Sequence, residues 1–538
     1  MSFKHLYEKN RQTAINCILD GSLRPEDIEE IYDIIKEQKD DELFYVFYEF
    51  LRKNQDNINY DKLEEATGIP RNILDHIFYE KPKIAYFPSI SLQGGKLCKA
   101  IVFIFDDDIN IASLPRTTSL PRSTSLPRST SLPHTNSLNH KEGIEAVRKI
   151  FKKRYPNKDF FVMFDSNFKG NSFTLALLSA LFLKDETLKK FAFTGDVKES
   201  EDILKVNYLD QKKKVAQDAQ LKLISYEDVS NVEELLYYLG EGPIDIPFLN
   251  INRSLDEALN SLEKLENVIK EQIKFFSLEK LSKFFNINKE DLILTTESLP
   301  PITEEELSKE NPWIKAVLEF ENKLKNIYDK VGSRKRIIHF VGSISSLVFG
   351  LGVKFGSRKP VVVYHYQADT YNMVLDLSDE DKLRRIKHIK ENLELIKLEN
   401  IKSANQEEVG VVIYFASHSP LGDVLRFSEN KNLDIFLIEA KDLKGNIPIP
   451  KKNEENFLEL VNLWSEIVRE IYSALNILKD RYKKLHIFLS VPVPIAFCLG
   501  MAVGHFMSAT IYNYNTKSQD TPYYPVFDTF DERLKSHF

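Results

Sequence analysis

The sequence predicts a multidomain α/β protein with a duplicated Rossmann-like unit in its C-terminal part. The chain has 538 residues, which is too long for a single core. Residues 337–366 align without a gap with residues 485–514, at a shift of 148 positions. The glycines and tyrosines that coincide are Gly352/Gly500, Gly356/Gly504, Tyr364/Tyr512 and Tyr366/Tyr514. Each copy reads as an apolar strand, a small-residue loop, a helix and a second strand, which is half of a Rossmann-like unit.

The second copy is also the longest stretch without Asp, Glu, Lys or Arg, and its length would suffice to span a bilayer. Pro492 and Pro494 lie inside it, and it repeats an earlier stretch that contains charged residues. We therefore expect a buried strand–helix–strand and no membrane segment.

Composition gives the expected location and excludes one class of partner. The formal net charge is -7, so no general basic field is available for duplex nucleic acid. Cys17, Cys98 and Cys498 are isolated and follow no disulfide or metal spacing. Together with the missing signal peptide, these cysteines predict a cytoplasmic protein with no metal site.

Residues 1–83 are expected to form a helical N-terminal region. Within it, Asp61 to Phe78 reads as a helix, a turn at Gly68 and a second helix with Pro70 near its start. This element resembles a helix-turn-helix. Arg71 is nearly the only cation on the second helix, whereas phosphate contacts need Lys and Arg. We therefore expect a scaffold or a partner-docking surface, with a ligand-responsive DNA regulator as an alternative.

Residues 84–245 are expected to form an α/β domain. Residues 113–138 repeat the hexapeptide SLPRST and its variants, and such a Pro- and Ser-rich period predicts a disordered insert. After the insert, a strand (159–166), a polar loop, an apolar helix, a strand (191–197) and a further helix follow in order.

This order of elements resembles the proteolytic domain of Lon proteases. The carriers are the Gly170-Asn171-Ser172 turn before the apolar helix, the Thr194-Gly195-Asp196 strand end, and Lys212, which opens a helix 40 residues after the serine. The resemblance implies a Ser–Lys dyad endopeptidase with Ser172 as nucleophile and Lys212 as base. No Walker A motif is present, so the expected protease is independent of ATP.

A serine hydroxyl needs a base, and a lysine can serve when apolar burial lowers its pKa. Lys213 is the alternative base if the register is shifted by one. The structural alternatives are an N-cap for Ser172 and a solvated charge for Lys212. Phe173 departs from the small residue that the family places after the serine, which favours a second hypothesis, a non-catalytic scaffold that only docks partners.

Residues 246–307 are expected to form a charged helical connector, and residues 308–538 resemble a SAVED domain made of two CARF-like units. The whole chain is thus similar to the SAVED-fused Lon proteases of type III CRISPR antiviral systems. That resemblance implies an allosteric cyclic oligoadenylate, with cyclic tetra-adenylate first, and no other cofactor. It also implies a ligand-induced homo-oligomer and a protein substrate, a toxin or anti-sigma-like protein being one candidate class.

In open α/β sheets, ligands bind beyond the carboxyl ends of the strands, where helix N-termini can hold phosphate. The tyrosines and the glutamine at the ends of the second strands are expected to contact bases. The candidate ligand residues at these ends are Gly342, Ser343, Ser345, Tyr366, Gln367, His418, Ser490, Pro492 and Tyr514.

Overall fold

The computed structural model describes the chain except for Met1, Lys39, Gln93, residues 107–139 and 297–298, His418, Asn430, and residues 443–446, 517–521 and 537–538. The predicted hexapeptide insert at 113–138 and the candidate ligand residue His418 lie outside the described residues. The chain divides into two compact units, Met1–Glu241 and Gly242–Phe538. Within the described part, no helix combines the length and the apolar character needed to cross a bilayer.

The first unit begins with helices, as predicted. Their bounds are α1 (Phe3–Lys9), α2 (Arg11–Leu19), α3 (Pro25–Gln38), α4 (Asp41–Lys53), α5 (Tyr60–Thr67) and α6 (Arg71–Tyr79). Their apolar faces form one core with Ile101, Phe103, Phe105, Phe161 and Met163 of the adjoining sheet. The helices therefore cover one face of the α/β domain that follows them.

The helix-turn-helix-like element consists of α5 and α6, joined at Gly68 in the left-handed conformation (φ 69°). The apolar face of α6 is buried in the core of the unit. Its Arg71 lies 4.0 Å from the Tyr60 ring centroid and 3.8 Å from Asp75. Arg71 is the one Lys or Arg residue of α6, so this helix offers no basic face to a phosphate backbone.

The central sheet of the first unit has the strand order β3-β2-β1-β4-β7. Its strands are β1 (Lys83–Ser91), β2 (Gly94–Asp106), β3 (Lys158–Phe164), β4 (Phe191–Thr194) and β7 (Lys222–Ser225), and a separate hairpin pairs β5 (Asp196–Val197) with β6 (Ile203–Leu204). The helices are α7 (Lys141–Arg154), α8 (Thr174–Phe182), α9 (Asp185–Leu188), α10 (Leu209–Asp218) and α11 (Val232–Leu239). β1 and β4 run parallel, as do β4 and β7.

The second unit contains two sheets, and the first has the order β12-β11-β10-β8-β9. Its strands are β8 (Ile244–Ile251), β9 (Ile293–Thr295), β10 (Arg336–Val341), β11 (Val361–Gln367) and β12 (Thr370–Leu377). The helices of this half are α12 (Leu255–Gln272), α13 (Leu278–Phe285), α14 (Glu304–Leu307), α15 (Pro312–Val331), α16 (Ser345–Phe355) and α17 (Glu380–Arg385).

The stretch after residue 246 contains strands that the sequence did not predict. Residues 246–307 were expected to be a helical connector, yet β8 and β9 of this stretch are strands of the first sheet, and β8 pairs in parallel with β10. The compact second unit accordingly begins at Gly242. The physical reason is non-local, because the partner strand of β8 lies about ninety residues later in the chain.

The second sheet has the order β13-β15-β14-β16-β17-β18. Its strands are β13 (Ile396–Lys402), β14 (Glu408–Tyr414), β15 (Asp434–Ala440), β16 (Lys484–Ser490), β17 (Ala509–Tyr514) and β18 (Tyr523–Asp528), with helices α18 (Leu421–Glu429), α19 (Phe457–Lys479) and α20 (Val493–Val503). Strands β15, β14, β16 and β17 are parallel, and β13 and β18 are antiparallel edges. Two Rossmann-like sheets are thus present, as the repeat predicts.

The two copies pack on each other through the glycines of α16 and α20. A Cβ atom on Gly352 would lie 2.1 Å from the carbonyl oxygen of Phe497, and one on Gly500 would lie 2.0 Å from that of Phe349. The two glycine contacts are related to each other by the same 148-residue shift as the sequence repeat. The two copies therefore pack with pseudo-two-fold symmetry. Glycine is needed at both positions because the backbones touch.

Each half also buries a histidine between a tyrosine and a carboxylate. The members are Asp245, His339 and Tyr364 in the first half, and Glu408, His486 and Tyr512 in the second. His339 Nε2 lies 2.8 Å from Asp245, and His486 Nε2 lies 2.8 Å from Glu408. The histidines are equivalent although they are 147 positions apart, so the strands are offset by one residue from the ungapped sequence alignment.

Candidate functional sites

Ser172 lies in the turn between β3 and α8, and this turn is bonded to the end of β4. The Ser172 carbonyl accepts the Gly195 N–H at 3.0 Å. The buried Thr174 hydroxyl lies 2.9 Å from the Gly195 carbonyl and accepts the Val197 N–H at 2.8 Å. The N-cap of α8 is Phe173, without a side-chain capping bond. Ser172 therefore does not act as the helix cap that its sequence position suggested as an alternative.

Lys212 projects from the first turn of α10 into the same region. Its side chain is 4% exposed, and Nζ donates a hydrogen bond to Thr194 Oγ1 at 3.1 Å. Thr194 directly precedes Gly195, so Ser172 and Lys212 are both bonded to the end of β4. Burial lowers the pKa of Lys212 to about 8. An amine with this pKa exists largely in its neutral, proton-accepting form above pH 8.

Lys213, the alternative base, has a different environment. It is exposed on α10 and pairs with Glu227 at 2.9 Å. The hydrogen bond to this carboxylate raises the pKa of Lys213. Only the first of the two adjacent lysines therefore has the buried amine that a Ser–Lys dyad requires.

Phe173, which follows the candidate nucleophile, is fully buried. Its ring centroid lies 5.1 Å from those of Phe164 and His140 and 5.3 Å from that of Phe168. The bulky side chain thus fills the core beneath the turn. Burial in this aromatic cluster also lowers the pKa of His140 to about 4.

In the second unit, the two predicted small-residue loops meet at the carboxyl ends of β10 and β16. Ser345 Oγ donates to the carbonyl of Val491 at 2.9 Å, and Ser346 Oγ donates to Asn513 Oδ1 at 2.6 Å. Gly342 approaches Val493 so closely that a Cβ atom would lie 2.8 Å from the valine side chain. Ser343, Ser345, Ser490 and Pro492 are thereby brought to one junction of the two halves.

Two adjoining cavities open at these strand ends, and His365 lines both. The first has a volume of about 470 Å³, and its walls include Asn250, Arg253, Lys264, Gly342, Ser343 and Tyr366. The second has a volume of about 800 Å³, and its walls include Gln367, Phe415, Lys451, Trp464 and Pro492. The predicted residues Gly342, Ser343, Tyr366, Gln367 and Pro492 therefore line a cleft of nucleotide size.

The exposed tyrosines differ in their surroundings. Tyr366 is 46% exposed, and its hydroxyl donates to Asp369 at 2.6 Å, while Lys264 pairs with the same carboxylate at 2.8 Å. Tyr514 is 50% exposed at the equivalent end of β17, although it lines neither cavity. The main-chain carbonyl of Ser490 accepts a hydrogen bond from the Phe415 N–H at 2.7 Å.

The sequence did not indicate Asn250, Arg253 or Lys264, because all three lie in the stretch expected to be a connector, Asn250 near the end of β8 and the other two after it. Asn250 is buried and accepts the Ser343 hydroxyl at 3.0 Å. The signal that could have found these residues is the apolar run Ile244–Ile251 followed by the polar pair Asn252-Arg253, which repeats the strand-then-polar-tip pattern of the other sites.

The fold and the cleft define a ligand-binding unit built from two fused Rossmann-like halves. Residues 320–528 match the family described as the SMODS-associated and fused to various effectors sensor domain, abbreviated SAVED. This part of the chain is therefore a SAVED domain. The family match does not extend to the first unit, where the Ser172–Lys212 dyad stays a prediction. No curated protein matches the chain.

Among solved structures, the chain is similar to the Cap4 SAVED/CARF-domain receptor of Acinetobacter baumannii with the cyclic trinucleotide 3'3'3'-cAAA. The identity is 17% and the TM-score 0.28, over 40% of this chain and 44% of that chain. The Cap4 receptor of Moraxella osloensis is similar at 15% identity and a TM-score of 0.27, over 45% of this chain and 48% of that chain. The chain thus spans less than half the length of these receptors.

Proposed function

We propose that the second unit is a receptor for a cyclic oligoadenylate. The observation that carries the proposal is the convergence of the loops 342–346 and 490–492 at the N-termini of α16 and α20, inside a SAVED domain. Helix N-termini and free main-chain N–H groups favour phosphate, and Tyr366 offers a face for stacking an adenine.

The charges on the cleft walls support the same ligand class. Arg253, Lys264 and Lys451 all line the cavities, and each pairs with a carboxylate. These exposed pairs are weak, so an incoming phosphate can exchange for the carboxylates at little cost. Cyclic tetra-adenylate is the first candidate, and the cyclic tri-adenylate named with the Acinetobacter receptor is included among the probes.

Calorimetry with cyclic di-, tri-, tetra- and hexa-adenylate tests the receptor. The wild-type chain is expected to bind one of them with a micromolar Kd or better, which corresponds to about 8 kcal/mol. Ser343→Glu places a carboxylate in the loop and should weaken binding by about 100-fold or more through repulsion of phosphate. The matched control is Ser333→Glu, an exposed serine in the turn that precedes β10. The absence of binding heat with all four probes would refute the proposal that the second unit is a cyclic oligoadenylate receptor.

We further propose that the first unit is a Ser–Lys endopeptidase that is activated through the receptor and cleaves a partner protein in antiviral defence. Its support is the buried amine of Lys212, whose pKa is lowered and which bonds to Thr194 at the end of β4, where the Ser172 turn is also bonded. In the acylation step, Ser172 Oγ attacks the peptide carbonyl while Lys212 Nζ takes the hydroxyl proton. The resulting ammonium then protonates the leaving amine, and water hydrolyses the acyl-enzyme with Lys212 again as base.

The oxyanion of that reaction needs free N–H donors. The Thr174 N–H donates to the Asn171 carbonyl at 3.0 Å and the Leu175 N–H to the Gly195 carbonyl at 3.2 Å, so neither is available. The proposed donors are the N–H groups of Ser172 and Phe173, which lie earlier in the turn. Because the Phe173 ring is buried in the core, its size does not obstruct that side of the turn.

The pH dependence of cleavage should report Lys212. Since only the neutral amine accepts a proton, kcat/KM should rise about tenfold per pH unit below the pKa of about 8 and level off above it. Fluorescein-labelled casein with cyclic tetra-adenylate present is a suitable substrate, and Lys213→Ala should leave the profile unchanged. A profile governed by a group that titrates near pH 6 would rule out Lys212 as the base.

The same pKa predicts that stability, like cleavage, increases with pH. The folded pKa of Lys212 is below the unfolded value of 10.5, so the unfolded chain binds more protons between pH 8 and 10.5, and the folded state gains stability as pH rises through this window. At pH 7 the buried charge costs up to about 3 kcal/mol. Lys212→Met should therefore raise the unfolding free energy at pH 7 in a denaturant titration.

A further inference from the structure

The loop that carries Ser172 is bonded at its entrance to the helical N-terminal region. This loop, residues 165–173, connects β3 to α8. Within it, Asn167 Nδ2 donates a hydrogen bond to Oδ1 of Asp40, the N-cap of α4, at 3.0 Å. The two residues lie 127 positions apart, so the bond joins two separate parts of the first unit. A hydrogen bond to a carboxylate is roughly twice as strong as one between neutral groups.

Asp40 is itself fixed and charged. Its side chain is buried, Arg11 Nη2 donates to its Oδ1 at 2.8 Å, and the Tyr7 hydroxyl donates to its Oδ2. The Leu43 N–H donates to the same Oδ1 at 3.1 Å. Burial acts to raise the pKa of Asp40, but the hydrogen bonds from Arg11 and Tyr7 outweigh it and lower this pKa to about 2. Asn167 is therefore bonded to a fixed, ionised carboxylate throughout the neutral pH range.

The residue after Asn167 links this bond to the candidate nucleophile. The Phe168 ring centroid lies 4.2 Å from that of His140 and 5.3 Å from that of Phe173. Phe173 directly follows Ser172. Apolar packing is not directional, so these rings place the loop without fixing how its main chain is turned. A hydrogen bond does fix direction, and the bond of Asn167 supplies this at the entrance of the loop.

We propose that Asp40 and Asn167 are positioning residues of the proposed peptidase, because their hydrogen bond sets the orientation of the loop from which Ser172 attacks. The inference rests on the endopeptidase function proposed above. It gives the helical N-terminal region, which the sequence predicts to be a scaffold or a docking surface, a part in catalysis. Both residues act through the loop and not on the substrate. A displacement of a reacting group by about 1 Å is enough to lower a rate about 100-fold.

Asn167→Ala tests the bond, because Asn167 is exposed and Asp40 keeps its other partners in this variant. With the full chain and cyclic tetra-adenylate, kcat for labelled casein should fall about tenfold or more while KM and the melting temperature stay unchanged. Labelling of Ser172 by a fluorophosphonate, located by mass spectrometry, should slow by the same factor. The pH profile should keep its inflection near pH 8, since Lys212 is not altered. Asn167→Gln keeps a carboxamide donor and should recover most of kcat.

Asp40→Ser tests the other side of the bond. Serine is also a preferred N-cap, so α4 keeps its cap while the carboxylate is lost. Labelling should slow as much as in Asn167→Ala, and the double variant should be no slower than either single variant, because all three lack the same bond. The matched control is Glu42→Gln. Glu42 pairs with Arg11 at 2.8 Å and with Lys96 at 3.5 Å, so this change disturbs the same part of α4 and should leave labelling unchanged.

The possible outcomes separate this inference from the peptidase itself. If the wild type is labelled and cleaves casein, and Asn167→Ala does both at the wild-type rates, the positioning role is wrong and the peptidase stands. A fall in melting temperature that accounts for the loss of activity in Asn167→Ala would make the bond structural and would also overturn the positioning role. A wild type that is neither labelled nor cleaves casein would refute the peptidase and the positioning role together.

Discussion

Ser172→Ala is expected to abolish ligand-dependent cleavage of labelled casein, with a loss of about 1,000-fold or more. The residue supplies the nucleophile in the proposed reaction, and alanine keeps the turn because the fixed contacts of the turn run through the Ser172 carbonyl and the Thr174 hydroxyl. Binding of cyclic tetra-adenylate by calorimetry and the melting temperature should be unchanged. Cleavage by Ser172→Ala at the wild-type rate would refute the peptidase and favour the non-catalytic scaffold.

The two adjacent lysines give this experiment a matched pair. Lys212→Ala should be as inactive as Ser172→Ala, because the hydroxyl then stays protonated, and the double variant should resemble either single variant. Lys213→Ala should be close to the wild type, since it removes only an exposed pair with Glu227. An inactive Lys213→Ala together with an active Lys212→Ala would identify Lys213 as the base and leave the peptidase proposal intact.

Gly352→Ala is expected to destabilise the second unit by about 3 kcal/mol. The new Cβ atom would lie 2.1 Å from the carbonyl oxygen of Phe497, which is backbone and cannot rotate away, so α16 and α20 must separate. Denaturant unfolding of the full chain should show the loss in the transition of the second unit. Because the loops at the N-termini of these helices form the cleft, cyclic tetra-adenylate should also bind more weakly.

The control for this substitution is Gly422→Ala on α18. A Cβ atom there meets nothing within 4 Å, and alanine favours a helix over glycine, so stability should be unchanged or rise by about 0.5–1 kcal/mol. A Gly352→Ala variant as stable as Gly422→Ala would show that the two helices do not pack as closely as the structure places them.

The sequence indicated the elements that are fixed by local pattern. The repeat of Gly352 at Gly500 predicted the two Rossmann-like halves, since a duplicated strand–loop–helix keeps its spacing whatever surrounds it. The loops at Ser343 and Ser490 were predicted for the same reason, and the structure brings them together. The spacing of Ser172 and Lys212 was likewise visible, because it reflects the order of strands and helices along one chain.

The sequence by itself thus determined the strands, helices and small-residue loops of the repeated segments, and that this set occurs twice. Only the tertiary structure decided that Ile244–Ile251 belongs to the first sheet of the second unit, since a parallel strand is defined by a hydrogen-bonding partner far away in the chain. It also decided that Lys212 and not Lys213 is buried, and that the Phe173 ring fills the core. These properties depend on which neighbours surround a side chain, and burial, unlike periodicity, is not a property of the residue's own segment.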